Sequence, residues 1–455
     1  MKLLDPDSWS AYQGAFIGLW TDSTHAYALY EPGELVAVLL QNGAYPALPY
    51  PGADWFQRLA KDLNGHMAVG FEAEGTAIEQ FRAPDGRAAW PTFNGPNDEG
   101  VHQFALGPVY GDITEPAHFR IFALGERVLQ LQLRLGYAHR GIFELLSGKS
   151  PRQAARYAAR ITGDATIAHS IAFARAAETA LGVEAPARAH FLRGLMAEIE
   201  RLANHCGNLG EIAEITRFMP LAARCAGLRE ALAGAASVVF GHRLMMDIVV
   251  PGGVTKDIEE AGVEKLQDVL ATIERELVPL RHIFENTASL KDRLVGIGVI
   301  PPALAASYNA GGYVGRGSGQ MHDARIAPGY PPYAEIEMSV QVEQAGDIDA
   351  RVKVRLAEMV ASISLIRQFL SALPDGPVAL ALPAASGMGL AVAESFRGPV
   401  WHWLKIENGQ IQDGFMIDAS ATHWALLAQA APTSSLDDFP LIERSINPSA
   451  ASVDG

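Results

Sequence analysis

Short alternating apolar segments, of which Leu35–Leu40 is typical, run through the first part of the chain between glycines and prolines, with one stretch of helical spacing from Trp55 to Leu63. This pattern predicts a small α/β domain over residues 1–95. The run DGRAAWPTFNGPNDEG, residues 85–100, collects glycine, proline, asparagine and aspartate, each of which favours a turn for its own backbone reason, and it marks the domain boundary. Beyond it the period changes. A strand-like stretch from Phe119 to Leu133 leads into five segments, 151–182, 187–212, 221–248, 256–291 and 347–373, where apolar residues recur at spacings of three and four. Helices of this kind bury their stripes against one another, so a bundle is expected. The loop PGGVTKD at 251–257 breaks the run, with Asp257 as the expected cap of the next helix, and 374–440 returns to short strands and turns. The predicted fold class is α+β: the small domain, then a mainly helical domain with short strands over 100–455.

Composition narrows the range of functions. At 455 residues, 49% hydrophobic and 19% charged, the chain can bury well-formed cores, and a formal net charge of -15 disfavours nonspecific binding to nucleic acid or anionic lipid. The two cysteines, Cys206 and Cys225, have no companions at metal-ligand spacing, which excludes a disulfide framework and a zinc or iron-sulfur motif and suits a reducing cytosol. No signal-peptide core opens the sequence and no window of eighteen uninterrupted apolar residues occurs, so attachment to a membrane is expected to need another subunit.

Residues 136–210, beginning GYAHRGIFELLSGKSP and ending EIERLANHCGNLG, resemble the large subunit of energy-converting nickel-iron hydrogenases and the 49 kDa subunit of complex I. Supporting segments are GPVYGDITEPAHFRI (107–121), GHRLMMDIVVPGGV (241–254), GDIDARVKVRLAEM (346–359), ESFRG (394–398) and NPSAASVDG (447–455). YPALPYPGADWFQRLAKDLNG, residues 45–65, is similar to the helix signature of the complex I 30 kDa subunit, which implies a fused 30 kDa-like domain over 1–95 ahead of the large-subunit-like domain.

The resemblance also exposes a loss. Active relatives hold nickel and iron with two CxxC pairs, in RICGxC and DPCxxC segments; here these read Arg160-Ile161-Thr162-Gly163-Asp164-Ala165 and Asn447-Pro448-Ser449-Ala450-Ala451-Ser452. Serine and threonine hydroxyls stay protonated and are hard donors, and alanine offers none, so Thr162, Ala165, Ser449 and Ser452 cannot form a thiolate cage. Hydrogen activation at a nickel-iron centre is therefore rejected, and no metal is expected. Either these small residues fill the former cavity, or they leave room for water or an organic ligand.

Around these positions the resemblance carries over further residues. Glu115 and His118 match an acid and a histidine beside the metal site, the acid being a proton gate or else a solvent-facing loop carboxylate, and Arg397 matches an arginine projecting over it, with an ion pair to Glu394 as its alternative role. His169 matches a second-shell histidine, or is a hydrogen-bonded core residue, and Arg160 is expected in the cavity wall. Complex I relatives use this cavity for quinone; their tyrosine position falls on Gly163, which leaves Tyr110 as a hydrogen-bonding candidate. His205 and Cys206, adjacent on a helix, point in different directions and make an improbable metal pair. Glu198, Glu200 and Arg201 read as solvated or subunit-facing charges, and GGYVGRGSG (311–319) as a loop near the cavity with Arg316 exposed or paired, since it fits neither a dinucleotide nor a phosphate fingerprint.

The implied function is a subunit of a membrane-associated hydrogenase-like or complex I-like assembly, peripheral on the cytoplasmic face of the inner membrane. It would dock an iron-sulfur small subunit, with the cluster in that partner, and membrane-arm subunits. Its own metal-free cavity would bind quinone or relay protons. The competing expectation is a non-catalytic scaffold of the same complex.

Overall fold

The computed structural model describes residues 1–71, 77, 93–109, 115–432 and 434–455. Residues 85–92 of the expected boundary, and Tyr110, lie outside the described residues.

The N-terminal segments build a four-stranded sheet from β1 (Lys2–Leu4), β2 (Phe16–Thr21), β3 (His25–Tyr30) and β4 (Glu34–Leu39), in the order β1-β4-β3-β2, with α1 (Pro6–Ser10) between the first two strands. A parallel pair, β5 (Ala44–Pro46) and β6 (Met67–Val69), brackets α2 (Ala53–Asn64), the helix expected near Trp55–Leu63. Three antiparallel strands follow, β7 (Val101–Leu106), β8 (His118–Leu124) and β9 (Arg127–Arg134).

The helical part holds α3 (Ile142–Leu146), α4 (Pro151–Ala158), α5 (Thr166–Leu181), α6 (Ala187–Ile215), α7 (Met219–Phe240), α8 (Glu260–Asn286), α9 (Ala288–Leu294), α10 (Pro302–Ser307), α11 (Gly312–Gly317) and α12 (Ile348–Ser371). Three expectations are corrected. The segment 151–182 is two helices broken at 159–165, and 221–248 stops being helical at Phe240, where Gly241 (φ 83) caps it in the left-handed region that glycine tolerates. Asp257 does not cap the next helix, because its carboxylate accepts from Arg188 Nε at 2.9 Å; α8 starts at Glu260.

The two short strands β10 (Val249–Val250) and β11 (Gly253–Val254) precede α8, and the C-terminal region is more regular than its sequence suggests. Here β12 (Gly387–Glu394), β13 (Pro399–Glu407) and β14 (Gln410–Asp418) form an antiparallel sheet, followed by α13 (Ser420–Ala430), α14 (Phe439–Ile446) and α15 (Ala451–Asp454). Helix α5 lies directly on β12. A Cβ at Gly389 would fall 1.9 Å from the Ala176 carbonyl oxygen, so the missing side chain is what lets helix and strand approach. On the sheet's other side Trp20 stacks on Phe415 with centroids 5.5 Å apart, and Trp403 meets Trp20 and Tyr27 at 5.7 and 5.1 Å, joining the N-terminal sheet to the C-terminal one. Among the described residues no helix is long and apolar enough to cross a membrane.

Candidate functional site

The break between α4 and α5 brings residues 162–165 against residues 449–452, which follow α14 after a left-handed Asn447 (φ 49). Thr162, Ala165, Ser449 and Ser452 are all buried, and their polar groups are used up locally. Thr162 Oγ1 donates to Asp164 Oδ1 at 2.7 Å, and Ser449 Oγ donates to both Glu115 oxygens at 2.8 and 3.1 Å. Ser449 Oγ also accepts from the Ser452 amide at 3.1 Å, while Ser452 Oγ donates to the Ser449 carbonyl at 3.2 Å. Each of these hydroxyls is engaged with a protein partner, and Ala165 supplies no ligand atom. The donor set does not fit a nickel-iron centre, and no group of three or more His, Cys, Asp or Glu among the described residues could hold a metal ion.

A guanidinium stands over the closed cage. Arg397 donates from Nη1 to Asp164 Oδ1 at 2.9 Å and from Nη2 to Oδ2, a two-point fork, and from Nε to the Asn447 carbonyl at 2.6 Å. It therefore ties the two halves of the cage together. Burial disfavours the Asp164 carboxylate, but the Arg397 charge outweighs it and holds this carboxyl below its ordinary range. The partner of Arg397 is thus Asp164 and not Glu394.

Beside this clamp opens a cavity of about 380 Å³, floored by Glu115, Asp164 and Arg397 and walled by Phe119, Trp424 and Phe439. A second pocket of about 210 Å³ shares Asp164, Asn204 and Arg229 with it and reaches Gly163 and Glu200. Glu200 accepts from the Ile167 and Ala168 amides at 2.6 and 3.1 Å, closing the N-terminus of α5 from the neighbouring helix. Its burial pushes the carboxyl up to about 8 despite those two donors, with Asp164 adding to the rise.

Behind the cage lies a buried ionic network that overturns the solvated reading of α6. Glu198 and Arg201 are 0% and 1% exposed. Glu198 accepts from Arg325 Nη1 at 3.0 Å, Tyr333 Oη at 2.7 Å and Ser362 Oγ at 2.5 Å. Arg316, also buried, donates to Glu358, Asp323 and Glu394 at 2.8, 3.1 and 3.0 Å. His205 Nε2 sits 2.8 Å from Glu358, and Cys206 is a buried thiol that burial pushes up, so neither is a ligand.

The remaining candidates part company. Glu115 reaches the cage, but His118, on β8, does not line the cavity: its ring packs on Phe93 at 4.8 Å, and burial lowers its pKa, helped by Arg120 and Arg134. Arg160 does not line it either; it faces outward, 46% exposed at the side chain, and pairs with Asp247 at 2.6 Å. His169 is fully buried behind the cage, 3.1 Å from His402 Nε2 and 3.4 Å from Asp418. Asp164, Glu200 and Trp424 were missed. Asp164 had a signal, an acid inside a segment otherwise of small residues, whereas Glu200 looked like its charged neighbours.

A large-subunit-type fold with a cage that lacks thiolates is the class these observations define. Residues 215–389 match the respiratory-chain NADH dehydrogenase 49 Kd subunit family, and residues 140–207 match the nickel-dependent hydrogenase family. The carbon monoxide-induced hydrogenase of Rhodospirillum rubrum is 31% identical over 356 residues, 76% of this chain and 98% of that protein. A subunit of the F(420)H(2) dehydrogenase of Methanosarcina mazei is 30% identical over 326 residues, 71% of this chain and 86% of that protein. A chain in the structure of the membrane-bound sulfane sulfur reductase, an archaeal respiratory membrane complex, superposes with a TM-score of 0.74 at 22% identity, over 79% of this chain and all of that one, which shows the shared fold. The chain belongs to the family of nickel-iron hydrogenase large subunits and complex I 49 kDa subunits. Its relatives are subunits of membrane-bound hydrogenase and complex I-like complexes.

Proposed function

We propose that this chain is the metal-free large-type subunit of a membrane-attached oxidoreductase complex, and that its cavity receives a quinone reduced by an iron-sulfur cluster in a docked small subunit. The observation that carries the reading is the cage itself: four positions without a thiolate, sealed by Arg397, Asp164 and Glu115, beside a cavity of about 380 Å³. That volume lies in the range of about 300–1,000 Å³ usual for small-molecule sites, and its aromatic wall suits a flat apolar ring. Arg397 is the charged donor on the floor for an oxygen-rich headgroup, and Glu115 is the carboxyl group beside it that would relay protons to the site. Membrane-arm partners and a place on the cytoplasmic face of the inner membrane belong to the same proposal.

A second reading, the scaffold, is favoured by one observation: every hydroxyl of the cage already has an internal partner. Purified complex distinguishes the two. Quinone binding that is lost in Arg397→Met, with normal assembly and nickel far below one atom per chain, supports the acceptor site. Normal assembly with no quinone bound to the unaltered complex overturns it in favour of the scaffold.

A further inference from the structure

The turn ESFRG joins β12 to β13 and carries two charged side chains into different cavities. Arg397 floors the cavity beside the cage, whereas Glu394 lines another of about 330 Å³, together with Glu31, His322, Asp323 and Trp401. The turn between them is tightly held. Ser395 Oγ accepts from the Arg397 and Gly398 amides at 3.1 and 3.3 Å, and Arg201 donates to the Glu394 and Ser395 carbonyls at 2.8 Å each. A Cβ at Gly312 would lie 1.6 Å from the Arg397 carbonyl oxygen, so α11 presses on the same turn. Whatever shifts Glu394 therefore shifts Arg397.

The network around Glu394 shares its cations unevenly. It contains four carboxyl groups, Glu198, Asp323, Glu358 and Glu394, with Arg201, Arg316 and Arg325 among them and Arg355 facing Glu358, none more than 5% exposed. His205 is kept neutral by burial, which lowers it to about 4. A buried carboxylate without a cation of its own is costly, so the carboxyl with the poorest partner is the one to hold a proton. Asp323 accepts three bonds from Arg325 and one from Arg316, and Glu198 accepts from two arginines, Tyr333 and Ser362. Glu358 takes Arg316 Nε to itself and faces His205. Glu394 has the Ala324 amide at 3.0 Å and a share of one Arg316 nitrogen, Nη1, which also serves Asp323 and the His322 carbonyl. It is the carboxyl with the weakest claim on a cation, and with Asp323 it lines the cavity. Burial, with Asp323 adding to it, raises this carboxyl to about 7. The groups that face it are Arg201 from α6, Arg316 from α11, His322, Asp323, Arg325 and Tyr330 from the segment after α11, Glu358 from α12, and Glu31 across the cavity.

We propose that Glu394 is a proton-loading site reached from the cavity at Trp401, and that the ESFRG turn passes its charge state to the Arg397 clamp on Asp164. When the proton leaves, Glu394 draws on Arg316 and the turn follows. This coupling holds whether or not quinone is the occupant of the other cavity.

The test uses the full chain labelled with 5-fluorotryptophan, with the fluorine resonances of Trp401 and Trp424 assigned by Trp→Phe variants. Trp401 lines the Glu394 cavity, and Trp424 lines the cavity beside the cage, where its indole N–H donates to the Ser449 carbonyl at 3.1 Å. Both resonances are expected to shift with one common midpoint near neutrality, and Glu394→Gln is expected to abolish both shifts. Glu394→Asp, which keeps the charge, serves if the glutamine variant does not fold, and should move the two midpoints together. A Trp424 signal that stays flat while Trp401 titrates, a titration that survives Glu394→Gln, or midpoints that move independently would overturn the proposal.

Discussion

Around residues 162–165 and 449–452 the polar groups are short, mostly uncharged and satisfied within a few residues or by one acid each, beside an open cavity. Behind the ESFRG turn they are long and charged, and their partners lie far along the chain: Glu198 meets Arg325, and Arg316 meets Glu358 and Glu394. The second region holds the fold, and the first is free to change. Ion pairs without access to water tolerate no loss of a partner, because the survivor remains as a bare buried charge. Glu115, Asp164 and Arg397, which hold the cage together from the open cavity, tolerate more, since water there can replace a missing bond.

Arg316→Ala puts the most strain on this contrast. It takes the arginine donor from Glu358 and Glu394, while Asp323 keeps Arg325, and is expected to cost about 3–5 kcal/mol in urea unfolding of the chain. A loss below about 1 kcal/mol would show that the network is not the rigid half. Arg397→Ala removes the equivalent cation on the cavity side. Asp164 is half-buried there, so the expected loss is about 1.5–3 kcal/mol, the range for hydrogen bonds to a charged group, accompanied by weaker quinone binding.

Glu200 gives the contrast a pH signature. Its carboxyl sits at about 8 in the folded chain against an ordinary value of 4.5, so between these values the folded state keeps a proton that the unfolded state has lost. Its contribution to stability is complete below about 4.5 and is lost as pH rises through about 8. Thermal midpoints of the unaltered chain should fall across that window, and Glu200→Gln should flatten the fall; equal slopes would assign it to other groups. The smallest effect is expected at the surface, where Arg160→Ala breaks the half-exposed pair with Asp247 and should change stability by less than about 1 kcal/mol by the same urea assay.

Much of the architecture was legible because it is local. The spacing from Trp55 to Leu63 and the apolar stripes of α6, α8 and α12 follow from the periods of the chain. The break at 159–165 was not, since a lone Gly163 in a run of helix-compatible residues does not announce a turn. The cage positions could be read from motif spacing, while their hydrogen bonds to Glu115 and Asp164 could not. The charges of α6 misled for a physical reason. Glu198, Glu200 and Arg201 at helical spacing look like a solvated face unless one knows that Arg325, Glu358 and Glu394, more than 100 residues away, pack against the same helix.

The interlocked hydroxyls of the cage also bear on how such a site changes over time. A single Ser449→Cys exchange would weaken the bonds to Glu115 and to the Ser452 amide before any second thiolate stood nearby to share a metal. Thr162→Cys would likewise loosen Asp164 from one of its donors while Ala165 still offered nothing. At Ser449 and Thr162 a step back toward a metal centre therefore begins with the loss of hydrogen bonds inside the cage, and the gain of a shared metal would come only with the other thiolates in place.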